Sequence, residues 1–140
     1  MTHRQRERMR MEIIIEADGE HTCCGLEVTR YQRVTWTYLT TRDGRFFQAL
    51  HPLDVPVSEV TGTVVDIEVV RADGSRIGVE RVPSGNAFSG NDPHDDGVIM
   101  VLHTEEMLDP SPDERLLFMV TLDVADGRTQ TSRVRADVIR

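Results

Sequence analysis

Residues 31–50 read YQRVTWTYLTTRDGRFFQAL, and this stretch decides the fold class. Between Tyr31 and Thr41, Val34, Trp36 and Tyr38 fall on one side of an extended chain, and Arg33, Thr35 and Thr37 fall on the other. That period of two belongs to a strand with one face against a core. Asp43-Gly44 follows: Gly has no Cβ, Asp tolerates a left-handed backbone, and the pair suits a tight reversal into Arg45–Leu50. The same corner recurs at Asp18-Gly19, Asp73-Gly74, Asp96-Gly97 and Asp126-Gly127. The chain is therefore expected to be all-β, without a long helix. Its antiparallel hairpins would form a small barrel with an SH3-like or OB-like core, or alternatively a two-sheet sandwich.

Working outward, Met11–Ala17 is the first expected strand, turned by Asp18-Gly19 towards a second at Thr22–Val28. Pro52 and Pro56 exclude a central strand over His51–Glu59. Val60–Arg71 follows, with Val65, Ile67 and Val69 on one face and Gly62 marking a bulge or bend. Asp73-Gly74 returns it through Arg76–Val82. The sequence PSGNAFSGNDPHDD, residues 83–96, is the one long irregular stretch, and Val98–His103 follows as a strand buried on both faces. Ser111-Pro112-Asp113-Glu114 carries the signs of a helix start, for one turn before Arg115. Beyond it Phe118, Val120, Leu122 and Val124 alternate with Leu117, Met119, Thr121 and Asp123, which favours a strand. Asp126-Gly127 would fold that strand onto a last one at Thr129–Ile139.

A length of 140 residues suits one domain. Residues 1–10 read as a disordered basic arm and 11–140 as a single all-β domain. The arm carries four Arg and one Glu, a local charge of +3, which leaves −11 on the rest. So acidic a body repels nucleic acid, making nucleic acid an unfavoured partner. All 16 basic residues are Arg, a coding bias of the kind a GC-rich genome imposes. No apolar run approaches a membrane span and none resembles a signal-peptide core, so no membrane association and a cytoplasmic location are expected.

Cys23-Cys24-Gly25, followed by Val28 and Val34-Thr35-Trp36, resembles a family of small uncharacterised actinobacterial proteins. There a Cys-Cys-Gly triplet follows the first strand and a Gly-Asp-x-Val-x-Trp-like strand comes next. Tyr31–Trp36 occupies that place here without the Gly-Asp. Val60–Ile67 is similar to the family's Gly-x-Val-x-x-Ile strand. The resemblance spans Met11 to Arg71. It implies a bacterial, cytoplasmic setting, and it brings no reaction, cofactor or partner, since the family is a domain of unknown function.

Three groupings carry candidate chemistry. His21, Cys23 and Cys24 offer imidazole and thiolate to zinc, with His51, His94 or His103 completing the set through the fold. The competing reading buries one thiol as a small hydrophobe. Asp92–Gly97 fits an EF-hand loop only at Asp92, Asp96 and Gly97, which leaves at most an irregular cation site. Trp36, Tyr38, Phe46 and Phe47, with Arg45 beside them, form an aromatic hairpin suited to core packing or to a binding patch. Phe46 and Phe47 cannot both point inward. Arg30, Arg33, Arg42 and Arg45 flank that hairpin and form the basis of a small-barrel nucleic-acid alternative.

No nucleophile elbow, phosphate loop or His-Glu-x-x-His motif is present. The leading expectation is a non-enzymatic binding or protein-interaction module, meeting another protein or a second copy of itself and needing no cofactor. The first alternative is a zinc-binding protein or enzyme using His21, Cys23 and Cys24.

Overall fold

Two of the Asp-Gly corners do what their chemistry requires. In the computed structural model, which describes residues 8–51, 54–109, 115–125 and 129–133, Gly44 and Gly74 sit at φ +86° and +88°. Each closes a hairpin, and a Cβ at either position would stand in open space. The elements run β1 (Arg8–Glu16), α1 (Glu20–Cys24), β2 (Val28–Thr29), β3 (Arg33–Thr40), β4 (Phe46–Gln48) and β5 (Pro56–Val70). They continue as β6 (Arg76–Gly78), β7 (Arg81–Val82), α2 (Gly85–Phe88), β8 (Leu117–Ala125) and β9 (Thr129–Arg133).

The molecule is all-β, and among the described residues its two helices are single turns. Five strands pair in a ring. β3 pairs with β4, β4 with β1, β1 with β8, β8 with β5, and β5 returns to β3. Every contact in the ring is antiparallel except β1–β4, which is parallel, so the expected set of pure hairpins is incomplete. All these strands, with β6 and β9, belong to one seven-stranded sheet, while β2 and β7 form a separate ribbon. One sheet turned on itself takes the place of the sandwich alternative. Followed around, the ring runs from β5 through β8, β1, β4 and β3 and back to β5, a connectivity that assigns no activity.

β5 makes the ring close. Its 15 residues pair first with β3, from Ser58 to Thr63, then with β8, from Thr63 to Val70. Gly62 lies where the strand passes β8. A Cβ there would stand 2.9 Å from the Asp123 carbonyl oxygen, so Gly62 is needed for the close approach. The bulge itself falls three residues on, at Val65, where Val64 pairs with Leu122 and Asp66 with Thr121. This corrects the expected faces of β5. Val60 and Val64 point inward before the bulge, Ile67 and Val69 after it, and Val65 is displaced from the inner row.

The core fills the ring. Phe118, Val120, Leu122 and Val124 of β8 meet Met11, Ile13 and Ile15 of β1, Val34 and Tyr38 of β3, and the inner row of β5. The alternation read in β3 and β8 is therefore the inside-outside alternation of the ring.

Other expectations are corrected. β1 begins at Arg8, so Arg8, Met9 and Arg10 of the expected arm are strand residues paired with Ala125, Val124 and Asp123. The segment after Asp18-Gly19 forms α1 instead of a strand over Thr22–Val28, because His21 is drawn into the interior and the chain must coil to place it. The expected hairpin of β8 with the last strand is replaced by another pairing: β8 and β9 run the same way and both pair with β5, which is long enough to receive them in succession, while the Asp126-Gly127 corner itself lies outside the described residues. Val98–His103 is no strand either. It makes isolated bridges, Val79 to Val101 and Met100 to Met107, and within it only Ile99 is fully buried. Residues 1–7, Pro52, the proposed turn at Ser111–Glu114 and the chain beyond Arg133 lie outside the described residues.

Candidate functional site

The outward face of the ring carries an apolar row that crosses four strands. Ile14 of β1 stands in register with Met119 of β8 on one side and Phe47 of β4 on the other, and Phe47 is in register with Leu39 of β3. Ile14 is only 4% exposed, although it points away from the core cluster that holds Ile13 and Ile15. The row opens into a cleft of about 420 Å³ floored by Ile14 and walled by Leu39, Phe47 and Leu50, with Glu16 and Glu20 at its edge. A smaller hollow of about 240 Å³ continues past Ile14 to Arg10, Glu12, Arg45 and Met119.

The aromatic hairpin divides between two roles. Tyr38 is buried, and Phe46 meets it edge-on at 5.1 Å between ring centres. Trp36 is half-buried against the same core. These three are packing residues. Phe47 alone of the group lies on the outer face, with the Arg45 guanidinium 5.4 Å from its ring centre. Sequence reasoning missed Ile14, Leu39 and Leu50. The run Ile13-Ile14-Ile15 held the available signal, since three successive buried positions on a strand require both faces to be covered.

A second cluster adjoins two residues of the cleft wall, Glu20 and Leu50. Glu20 and Cys24 are one turn apart on the same side of α1. The Glu20 carboxylate accepts the Leu50 backbone N–H at 2.7 Å, which brings the next residue, His51, against the helix. The Cys24 sulfur then lies 3.5 Å from His51 Nε2 and 3.0 Å from the Cys23 sulfur. The three candidate ligand atoms all lie within 4.8 Å of one another. Hydrogen bonding to Cys23 is the largest cause that raises the Cys24 thiol pKa, reinforced by partial desolvation and by the charges of Cys23 and Glu20. Both thiols are exposed and free.

His21 is not part of that cluster. Its side chain is 2% exposed, its Nε2 donates to the Pro83 carbonyl at 2.7 Å, and its ring meets Phe88 edge-on at 5.7 Å. Burial lowers its pKa, partly offset by the bond to Pro83, so it is held as a neutral packing group. Its Nδ1 is buried without a partner. Gly25, the third residue of the Cys-Cys-Gly triplet, exists for this ring: a Cβ there would lie 2.0 Å from His21 Nδ1. Of the histidines held in reserve, His51 joins the thiols; among the described residues neither His94 nor His103 does.

The irregular stretch over residues 83–96 is latched down. Arg81 grips Asp95 with two nitrogens, at 2.5 and 2.8 Å, donates to the Val98 carbonyl and also reaches Glu27 at 2.9 Å. Asp92 and Asp96 each accept a backbone N–H two residues on, from His94 and Val98. The Arg81 pair, helped by the Gly97 N–H, holds the Asp95 carboxyl at about 2 against an ordinary 3.8. This sets a pH dependence. A carboxylate whose pKa is depressed by folding adds stability above its unfolded value and loses it as pH falls through the folded one. Asp95→Asn is therefore expected to be less stable than the native chain at neutral pH, with the gap closing between about pH 4 and pH 2. Urea unfolding at several pH values checks this; a gap that does not narrow in acid contradicts it.

The arginines near the aromatic hairpin do not converge. Arg30 pairs with Asp66 at 3.2 Å and Arg45 with Asp43 at 2.9 Å, while Arg33 and Arg42 stand apart on the exposed surface.

No family model, curated protein or solved structure matches this chain. Among the described residues no helix is long and apolar enough to cross a membrane.

Proposed function

We propose that this chain is a non-enzymatic binding module that takes the apolar side chains of a partner protein into the cleft above β1 and β4. The observation that carries the reading is the row Met119–Ile14–Phe47–Leu39, apolar across four adjacent strands on a face that the ring leaves to the outside. An apolar strip with a charged rim is the ordinary anatomy of a protein contact. Here Arg10, Glu12 and Arg45 supply one rim and Glu16 and Glu20 the other. Phe47, propped by Arg45, is the aromatic anchor of the kind that dominates such contacts.

The probe is a set of peptides selected from a displayed random library against the immobilised chain. Phe47→Asp is expected to weaken the selected peptides by about 30-fold or more, the loss of a hot-spot residue. Its melting temperature should stay close to the native value, because Phe47 lies outside the core. If the peptides bind Phe47→Asp and the native chain alike, or if none is selected, the cleft is not a protein-binding site.

A further inference from the structure

We propose that Cys23, Cys24 and His51 together hold one zinc ion beside the Glu20 and Leu50 wall of the cleft. Two thiol sulfurs and an imidazole nitrogen gathered within 4.8 Å make a donor set of the right softness, since zinc takes thiolate and imidazole readily. The gathering is built by the fold. α1 places Cys23 and Cys24 three and four residues after Glu20, and Glu20 fixes the Leu50 backbone N–H so that His51 meets Cys24. The sulfurs are outside the core, so they reach solvent and an incoming ion without any rearrangement of the ring.

A disulfide is the competing use of two neighbouring thiols. Consecutive Cα atoms are about 3.8 Å apart across a trans peptide, short of the roughly 4.4 Å minimum a disulfide prefers. Binding the ion costs the backbone nothing of that kind. Each cysteine gives up its proton to water as the ion binds, and the cation balances the charge of the two thiolates. Three protein ligands leave a fourth position facing outward, open to water or to a ligand from a bound partner.

The test uses the full chain, reduced and purified without an affinity tag, titrated with cobalt(II) and then with zinc. Cobalt is expected to give thiolate-to-metal charge-transfer absorption that saturates at one equivalent and is abolished by zinc. Cys23→Ser, Cys24→Ser and His51→Ala should each weaken zinc binding by more than the roughly 10–100-fold that loss of an outer-sphere partner brings. All three should melt as the native chain does without zinc, and His94→Ala should bind zinc normally. Glu20→Ala should weaken binding within that same range, whereas Glu20→Gln, which keeps an oxygen for the Leu50 N–H, should preserve it. Three results would each overturn the assignment: no charge-transfer band in reduced protein, zinc affinity indifferent to Cys24→Ser or His51→Ala, or uptake of copper(I) alone.

Discussion

Gly85→Ala is expected to destabilise the chain by about 3 kcal/mol, the upper end of the usual range for overpacking. The physical reason is the crossing of the two short helices. A Cβ at Gly85 would lie 2.1 Å from the His21 carbonyl oxygen and 2.6 Å from that of Thr22. Both are backbone atoms and cannot rotate aside as a side-chain tip would. The contact is fixed from each end. The Gly85 N–H donates to the Gly25 carbonyl at 2.9 Å, and the Ser84 hydroxyl caps α2 by accepting the Ala87 N–H at 3.2 Å. α1 can yield only by dragging His21 off the Pro83 carbonyl, which would leave a second buried polar atom unpaired beside Nδ1. Urea unfolding measures the change. A loss under about 1 kcal/mol would show that the helices separate easily, and would remove the rigid support on which Cys23 and Cys24 stand.

Only part of this arrangement was legible in the sequence. β3 and β8 could be read because each has one face in the core, and that constraint writes a period of two into Arg33–Thr40 and Leu117–Val124. The Asp43-Gly44 and Asp73-Gly74 hairpins could be read because the need for φ > 0 is local. The helix α1 could not. Five residues are too few to display a helical period, and what makes them coil is the burial of His21 against Phe88 and the room left by Gly25 and Gly85. The missing β8–β9 pairing has a related cause: both strands are claimed by β5, and a turn signal in the sequence does not say which partner a strand will take.

The candidate sites show the same division. Val64-Val65 is apolar at both positions, so the bulge that selects one of them leaves no mark on the pattern. Phe47 was legible as a residue that must leave the core if Phe46 enters it. Its companions were not, because Ile14, Leu39 and Met119 come from three other strands and only the register lines them up. His51 lies 27 residues from Cys24, and a hydrogen bond from the Leu50 N–H to the Glu20 carboxylate brings their neighbourhoods together. His21, closer in sequence and chemically equivalent, is directed inward by the turn of the helix.

The largest loss is expected from Phe118→Ala, about 3–5 kcal/mol, as for other aromatic truncations in a sealed core. Among the described residues Phe118 is the largest side chain that is wholly buried. It stands in register with Ile15 of β1 and Val69 of β5, so its ring fills the space between the two strands that flank β8. It also links the ring to the helices. Phe118 lies 5.9 Å from Phe88, centre to centre, and Phe88 lies 5.7 Å from His21, so one aromatic chain runs from the core of the sheet to the base of α1. Phe118→Leu, which keeps most of the volume, should lose much less than the alanine variant. A double-mutant cycle with Phe88→Ala should return about 0.5–1.5 kcal/mol of coupling if the two rings support one another. Met119→Ala, one residue on, is the control. It removes a side chain from the outer row and not from the core, and should cost well under half as much. Equal losses at the two positions would contradict the inside-outside assignment of β8, and with it the outward strip on which the proposed binding surface rests.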